Sequence, residues 1–247
     1  AAIAVQIPYK TESDPIASHT LSTAQSAGWI WDIGLASRRG VGYVYSSAHT
    51  TAERAENELR KYIEPSLDAK LAESISFRKI SIDSGYRQEF WHKNCVAVGL
   101  SAGFLEPLEA SALVLVELSA KMISEQMPVN REMMSVVAKR FNEKFTYRWE
   151  RIIDFLKLHY ILTKRTDTPY WRDNCATSSI PASLQELVNL WRYQSPWHYD
   201  ATQMEEMFPS ASFQYVLYGM GFETLPRPTK RKSEVEAVAE RLFMENS

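Results

Sequence analysis

The spacing of apolar residues changes near residue 106. Before it, apolar positions alternate with polar ones or fall in short blocks; after it, they recur every three or four residues. Residues 1–8 read as a strand. Gly28-Trp29-Ile30-Trp31-Asp32-Ile33 alternates and is rich in β-formers, and residues 41–46 make another strand, so a hairpin is expected across Arg38-Arg39-Gly40. Residues 51–63 predict a helix with Ala52, Ala55, Leu59 and Ile63 on one face and Thr50 or Thr51 as its cap. Residues 77–82 and 87–90 read as strands on either side of a turn at Ser84-Gly85. The apolar run 95–98 reads as a buried strand that ends at Gly99, Ser101 and Gly103.

From Ala110 the pattern is helical. Leu113, Val114, Val116, Leu118 and Met122 build one helix that stops before Pro128. A long amphipathic helix is expected over 131–163, with Phe141, Phe145, Trp149, Ile152, Ile153, Leu156 and Tyr160 at helical spacing. Thr166-Asp167-Thr168-Pro169 breaks it. Residues 183–191 predict a shorter helix capped by Ser183, with Glu186 completing a capping box. Short helices are expected over 200–208 and 212–218, the second closing at Gly219 and Gly221, and a charged helix over 229–246. The fold class is α+β, with strands first and a mainly helical region second.

Composition narrows the function classes. The chain has 247 residues, 45% hydrophobic and 23% charged, with a net charge of −2, which points to neither nucleic acid nor an anionic membrane as partner. Two cysteines argue against a disulfide framework and for a reducing compartment, and no apolar run is long enough to span a bilayer, so the chain reads as cytoplasmic. Nine glycines are few for a complete nucleotide-binding domain. Gly40-Val41-Gly42 has no third glycine and reads as a hairpin turn.

Candidate chemistry centres on one segment. A strand, a small-residue turn and a helix start carrying Glu106-Pro107-Leu108-Glu109 can form a site for an anion or a cofactor. Glu109 falls in the first helical turn, where the dipole favours a carboxylate; it serves as a capping charge or as a functional group, and Glu106 is an equal candidate for the cap. Trp29 and Trp31 share one face of a strand and either wall a flat ligand or pack in the core. His19, His49, His92, His159 and His198 lack metal-ligand spacing, so no metal is expected, and Cys95 reads as an inert core residue.

The segments Gly28-Trp29-Ile30-Trp31-Asp32-Ile33-Gly34, Gly42-Tyr43-Val44-Tyr45-Ser46-Ser47, Phe90 through Gly99 and on to Phe104-Leu105-Glu106-Pro107-Leu108-Glu109, Asp167-Thr168-Pro169-Tyr170-Trp171 and Tyr218-Gly219-Met220-Gly221 together resemble the flavin-dependent tryptophan halogenase family, C-terminal portion only. The resemblance implies that residues 1–108 are the C-terminal part of the flavin-binding box domain and 109–247 the helical substrate-side region. It implies a parent enzyme that uses reduced FAD, O2 and chloride or bromide to halogenate an electron-rich aromatic. By motif position Glu109 is the catalytic glutamate, the amides of Ser111 and Ala112 hold the halide, Leu100 and Leu113 touch the flavin, and Trp29 and Trp31 wall the flavin side of the tunnel.

Departures from the family pattern are Gly34 for proline, Ala110 for serine and Ala112 for glycine. The family's GxGxxG turn and catalytic lysine precede the matched region, so the chain alone is expected to be inactive. Pro196, Trp197 and Gln203 stand where the family grips free tryptophan, which favours indole or an aromatic carried on a larger molecule. Implied partners are the N-terminal half of the same enzyme, a separate NADH-dependent flavin reductase and a second copy in a homodimer. A related FAD-dependent monooxygenase and, for the isolated chain, a non-catalytic binding module are the alternatives.

Overall fold

The computed structural model describes residues 1–11, 13–68, 71, 74–200, 206–225 and 241. Strands β1 (Ala2–Pro8), β2 (Leu21–Ala24), β3 (Gly28–Gly34), β4 (Arg38–Tyr45) and β5 (Arg78–Ile80) form one antiparallel sheet in the order β2-β3-β4-β1-β5. Side chains alternate along β1: Ile3, Val5 and Ile7 are buried while Gln6 and Pro8 are exposed. Helix α1 (Ala52–Ile63) covers that face with Ala55, Leu59 and Ile63, which pack on Ile30, Val41 and Tyr43. Each of the larger aliphatic side chains here contributes about 1.5–3 kcal/mol on burial. Thr51 caps α1 as expected, accepting the Arg54 N–H at 3.3 Å. On the same face Arg39 grips buried Asp32, which also accepts the Tyr62 hydroxyl at 3.2 Å.

The β3–β4 hairpin exists, but it turns at Leu35-Ala36-Ser37, where the Leu35 N–H donates to the Arg38 carbonyl at 2.8 Å. Arg38, Arg39 and Gly40 are strand residues, and so is Gly42; the expected glycine turn is corrected. Gly42 is there because it lies directly opposite Trp31, and a Cβ on it would sit 2.1 Å from indole Cζ2. The other expected strands break into short ladders. β6 (Gly85–Tyr86) pairs with β9 (Gly103–Phe104), and β7 (Trp91–His92) pairs with β8 (Cys95–Val96). Residues 87–90 form no strand, and the 95–98 strand is two residues long with Cys95 exposed, so Cys95 is not a core residue.

The second half is helical, which gives the expected α+β architecture. Its helices are α2 (Ala112–Glu125), α3 (Met134–Ile161), α4 (Pro169–Cys175), α5 (Ala182–Trp191) and α6 (Ser210–Gly219). Ser183 does not cap α5: it lies inside the helix, and its hydroxyl donates to Asp154 Oδ1 at 3.0 Å. Glu206–Phe208 is not helical, while 201–205 and nearly all of the expected 229–246 helix lie outside the described residues. Among the described residues, no helix is long and apolar enough to cross a membrane.

Helix α3 positions everything around it. Phe141, Phe145, Trp149, Ile152 and Leu156 pack with Phe90 and Trp91; Phe155 and Leu158 pack with Leu184, Trp191 and Leu217. Tyr160, at its end, joins Trp29, Tyr170 and Trp171 on the sheet face opposite α1. Two hydrogen bonds reinforce this junction, from Thr168 Oγ1 to the Ser26 carbonyl at 2.7 Å and from Trp171 Nε1 to the Gln25 carbonyl at 2.8 Å.

Candidate active site

The chain between β9 and α2 is bent by backbone geometry that few side chains adopt. Pro107 leads into a single 3-10 turn, Leu108–Ala110, in which Glu109 has φ 63° and Ala110 φ 48°. Left-handed non-glycine residues cost roughly 1–2 kcal/mol each and persist where surrounding contacts impose them. Glu109 therefore precedes α2 instead of lying in its first turn, and neither Glu106 nor Glu109 caps it: the N-cap Ser111 has no side-chain cap. Gly99, at φ 62°, makes the preceding turn, and a Cβ there would press on Val116 of α2 at 3.2 Å.

Two carboxylates three residues apart are held by consecutive residues of α3. Glu106 Oε2 accepts the Tyr160 hydroxyl at 2.7 Å and Trp29 Nε1 at 3.3 Å. Glu109 Oε1 meets His159 Nε2 at 3.1 Å, and His159 Nδ1 meets the Phe155 carbonyl at 2.8 Å. Burial pushes the Glu106 carboxyl above its ordinary range, against the opposing pull of its two donors and of the nearby His159 and Lys157 charges. Burial also lowers the Lys157 ammonium, which donates to Asn174 Oδ1 at 3.0 Å. The ionised Glu106 beside Tyr160 helps burial raise that phenol. Glu106, Lys157, Tyr160 and Tyr170 line a cavity of about 420 Å³.

Trp29 and Trp31 do share a face, edge to face at 6.3 Å between ring centroids. Trp29 is buried against the α3–α4 junction and Trp31 is half-buried. Leu100 and Leu113 stand 79% and 80% exposed on adjoining elements, the Gly99–Ser101 turn and the first turn of α2. Ala112 opens α2, and the first N–H groups of a helix have no intrahelical acceptor. The structure thus strings exposed Glu109, half-buried Ser111 and exposed Ala112 and Leu113 along one ridge beside Leu100, with Trp29 linked to the same turn through Glu106. Among the described residues no cluster of His, Cys, Asp and Glu is arranged to hold a metal.

Sequence pattern gives no signal for the roles of His159, Tyr160 and Lys157. His159 is about 50 positions from Glu109. Tyr160 reads as one more apolar member of the helix stripe. A second polar chain is equally unforeseen: Ser46 Oγ to His49 Nδ1 at 2.8 Å and His49 Nε2 to Asp173 at 2.9 Å, which ties the loop after β4 to α4.

Comparison with known proteins gives a consistent result. The family profile described as Tryptophan halogenase matches residues 1–238. The chain is 32% identical over 244 residues to tryptophan 6-halogenase SttH of Streptomyces toxytricini, covering 98% of this chain and 45% of that protein. It is 30% identical to 7-chloro-L-tryptophan 6-halogenase KtzR of Kutzneria sp. (strain 744), covering 98% and 46%. The crystal structure of a tryptophan halogenase from Shewanella frigidimarina matches with a TM-score of 0.90 at 49% identity, covering 99% of this chain and 46% of that one. BrvH, a flavin-dependent halogenase from Brevundimonas sp. BAL3, matches at 0.80 and 34%, covering 97% and 47%. The chain spans somewhat under half the length of these relatives.

Proposed function

Because the chain belongs to the tryptophan halogenase family, we propose that it is the C-terminal part of a flavin-dependent halogenase. The whole enzyme uses reduced FAD, O2 and chloride or bromide to halogenate an electron-rich ring such as indole or a tryptophan derivative. The observation that carries this reading is the ridge from Leu100 to Leu113, which joins a carboxylate, a helix start and exposed apolar side chains.

The residues present fit the ring end of a flavin and a halide. Exposed Leu100 and Leu113 offer apolar surface to a flat ring, and the start of α2 at Ser111 and Ala112 suits an anion. The GxGxxG turn for the phosphates and the family's lysine are not in this sequence, so the N-terminal half supplies them. Bound reduced FAD would activate O2, which would take two electrons from the flavin and two from the halide and so make the halide electrophilic. Glu109 takes the proton that the ring loses on substitution: the C–H bond breaks, its electron pair restores the aromatic ring, and the proton goes to a carboxylate oxygen. Trp29 and Trp31 form an apolar wall that separates aromatic substrate from the flavin side.

The test uses the full-length gene product with NADH, a flavin reductase, O2, bromide and indole, read by the mass of brominated product. Glu109→Gln lowers turnover by about 10²–10⁴-fold, the range of a proton-transferring group; undiminished turnover refutes the assignment of Glu109. Residues 1–247 alone yield no product. Indole is turned over faster than free tryptophan, and a clear preference for tryptophan refutes the substrate reading.

A further inference from the structure

The hydrogen-bond partners of His159 constrain where its protons sit. Its Nδ1 faces the Phe155 carbonyl at 2.8 Å, and a carbonyl only accepts, so Nδ1 carries a hydrogen. Its Nε2 faces Glu109 Oε1 at 3.1 Å. A neutral imidazole with hydrogen on Nδ1 presents a lone pair at Nε2, and an ionised carboxylate presents lone pairs too. The contact is therefore attractive only when the two groups share one further proton. The imidazole is fixed in orientation by the Phe155 ring, edge to face at 5.0 Å between centroids. Glu109 Oε2 has no hydrogen-bond partner among the described residues.

We propose that His159 is a positioning residue that shares one proton with Glu109, keeping Oε1 engaged and leaving Oε2 free to receive the substrate's proton. The proposal rests on the reading of Glu109 as the catalytic carboxylate. Glu106, in the same turn as Glu109, lies within coulombic reach of His159, with Lys157, Tyr160 and Tyr170 around it. Without the shared proton, lone pairs would face each other across the contact and Glu109 would lose its anchor.

The experiment compares wild-type full-length protein with His159→Gln, His159→Leu and Glu109→Gln. Turnover is measured, and the imidazole nitrogens of His159 are observed by ¹⁵N NMR, assigned from their absence in His159→Gln. A Gln amide can still donate to Glu109, and a Leu side chain cannot. Expected results are turnover retained to within about tenfold in His159→Gln, and a loss larger than about tenfold in His159→Leu, short of the 10²–10⁴ of a proton-transferring group. Under the assay conditions, His159 shows both nitrogens protonated in wild type and a single protonated Nδ1 in Glu109→Gln. An identical nitrogen spectrum in those two proteins, or equal turnover losses in His159→Gln and His159→Leu, overturns the proposal. If Glu109→Gln halogenates at full rate while the His159 nitrogens still change, proton sharing stands and the catalytic assignment of Glu109 falls.

Discussion

Single side chains set the tightest limits in this fold. Trp31 fills the space above Gly42, with indole carbons between 2.1 and 2.6 Å from where a Cβ would be. Gly42→Ala must displace the indole or bend β4, and overpacking of this kind costs about 1–3 kcal/mol. A lower urea midpoint with altered tryptophan near-ultraviolet dichroism is expected, and an unchanged midpoint contradicts it. Glu106 makes a pH-dependent prediction. Its carboxyl is raised by burial above the ordinary 4.5, so between those values the folded state holds a proton that the unfolded chain has lost. The stability tied to that proton is fully present below about 4.5 and is lost as pH rises through the folded value. Glu106→Gln removes the titration while its amide oxygen still accepts from Trp29 and Tyr160. Thermal midpoints of the variant should gain on wild type as pH is raised from 4 to 8, and a constant difference at all pH values contradicts this.

Among elements, the short β7–β8 ladder depends on α3 more than on its own two residue pairs. Asn142 Oδ1 accepts the N–H groups of Phe90 and Trp91 at 2.9 and 2.7 Å, and its Nδ2 donates to the Trp91 carbonyl at 3.0 Å. Asn142→Leu strands these backbone groups, and each unsatisfied one costs about 1–3 kcal/mol. Amide exchange of Phe90 and Trp91 should accelerate in the variant; equal protection in both proteins would show that the ladder stands alone. This dependence explains what the pattern of apolar positions reveals and what it hides. β1, the β3–β4 hairpin, α1 with its Thr51 cap, and α3 are legible because each carries apolar residues at a regular period over two turns or more of helix, or seven or more strand residues. β2 is nearly all exposed and has no such face. The ladders over 85–104 are two residues long and are held from outside, by Asn142 among others. The Glu109 region is legible as a turn before a helix. The start of α2 is shifted because Glu109 and Ala110 take left-handed backbone, a conformation that residue type does not announce.

At the scale of the molecule, one face is left unusually apolar. Leu100, Leu113, Val114 and Val116 are all exposed around the start of α2, in a chain that is somewhat under half the length of its relatives. Such patches are normally covered by a partner. Residues 1–247 alone should bind an apolar dye such as ANS, and on the proposed halogenase reading the dye signal should fall when the proposed N-terminal half is supplied in trans; an unchanged signal would place the cover elsewhere. The long helix carries a further consequence, for how this chain tolerates change in evolution. Its 28 residues extend roughly 42 Å at about 1.5 Å per residue. Along that length it meets three separate cores before presenting His159 and Tyr160 to two different carboxylates. Inserting or deleting one residue between Phe145 and Phe155 would rotate everything downstream by about 100°, turning imidazole and phenol away from Glu109 and Glu106 together. Lineages of this chain can therefore vary the composition of the helix's outer surface freely, while its length between those two phenylalanines is locked, and gaps in that interval should be absent from any working descendant.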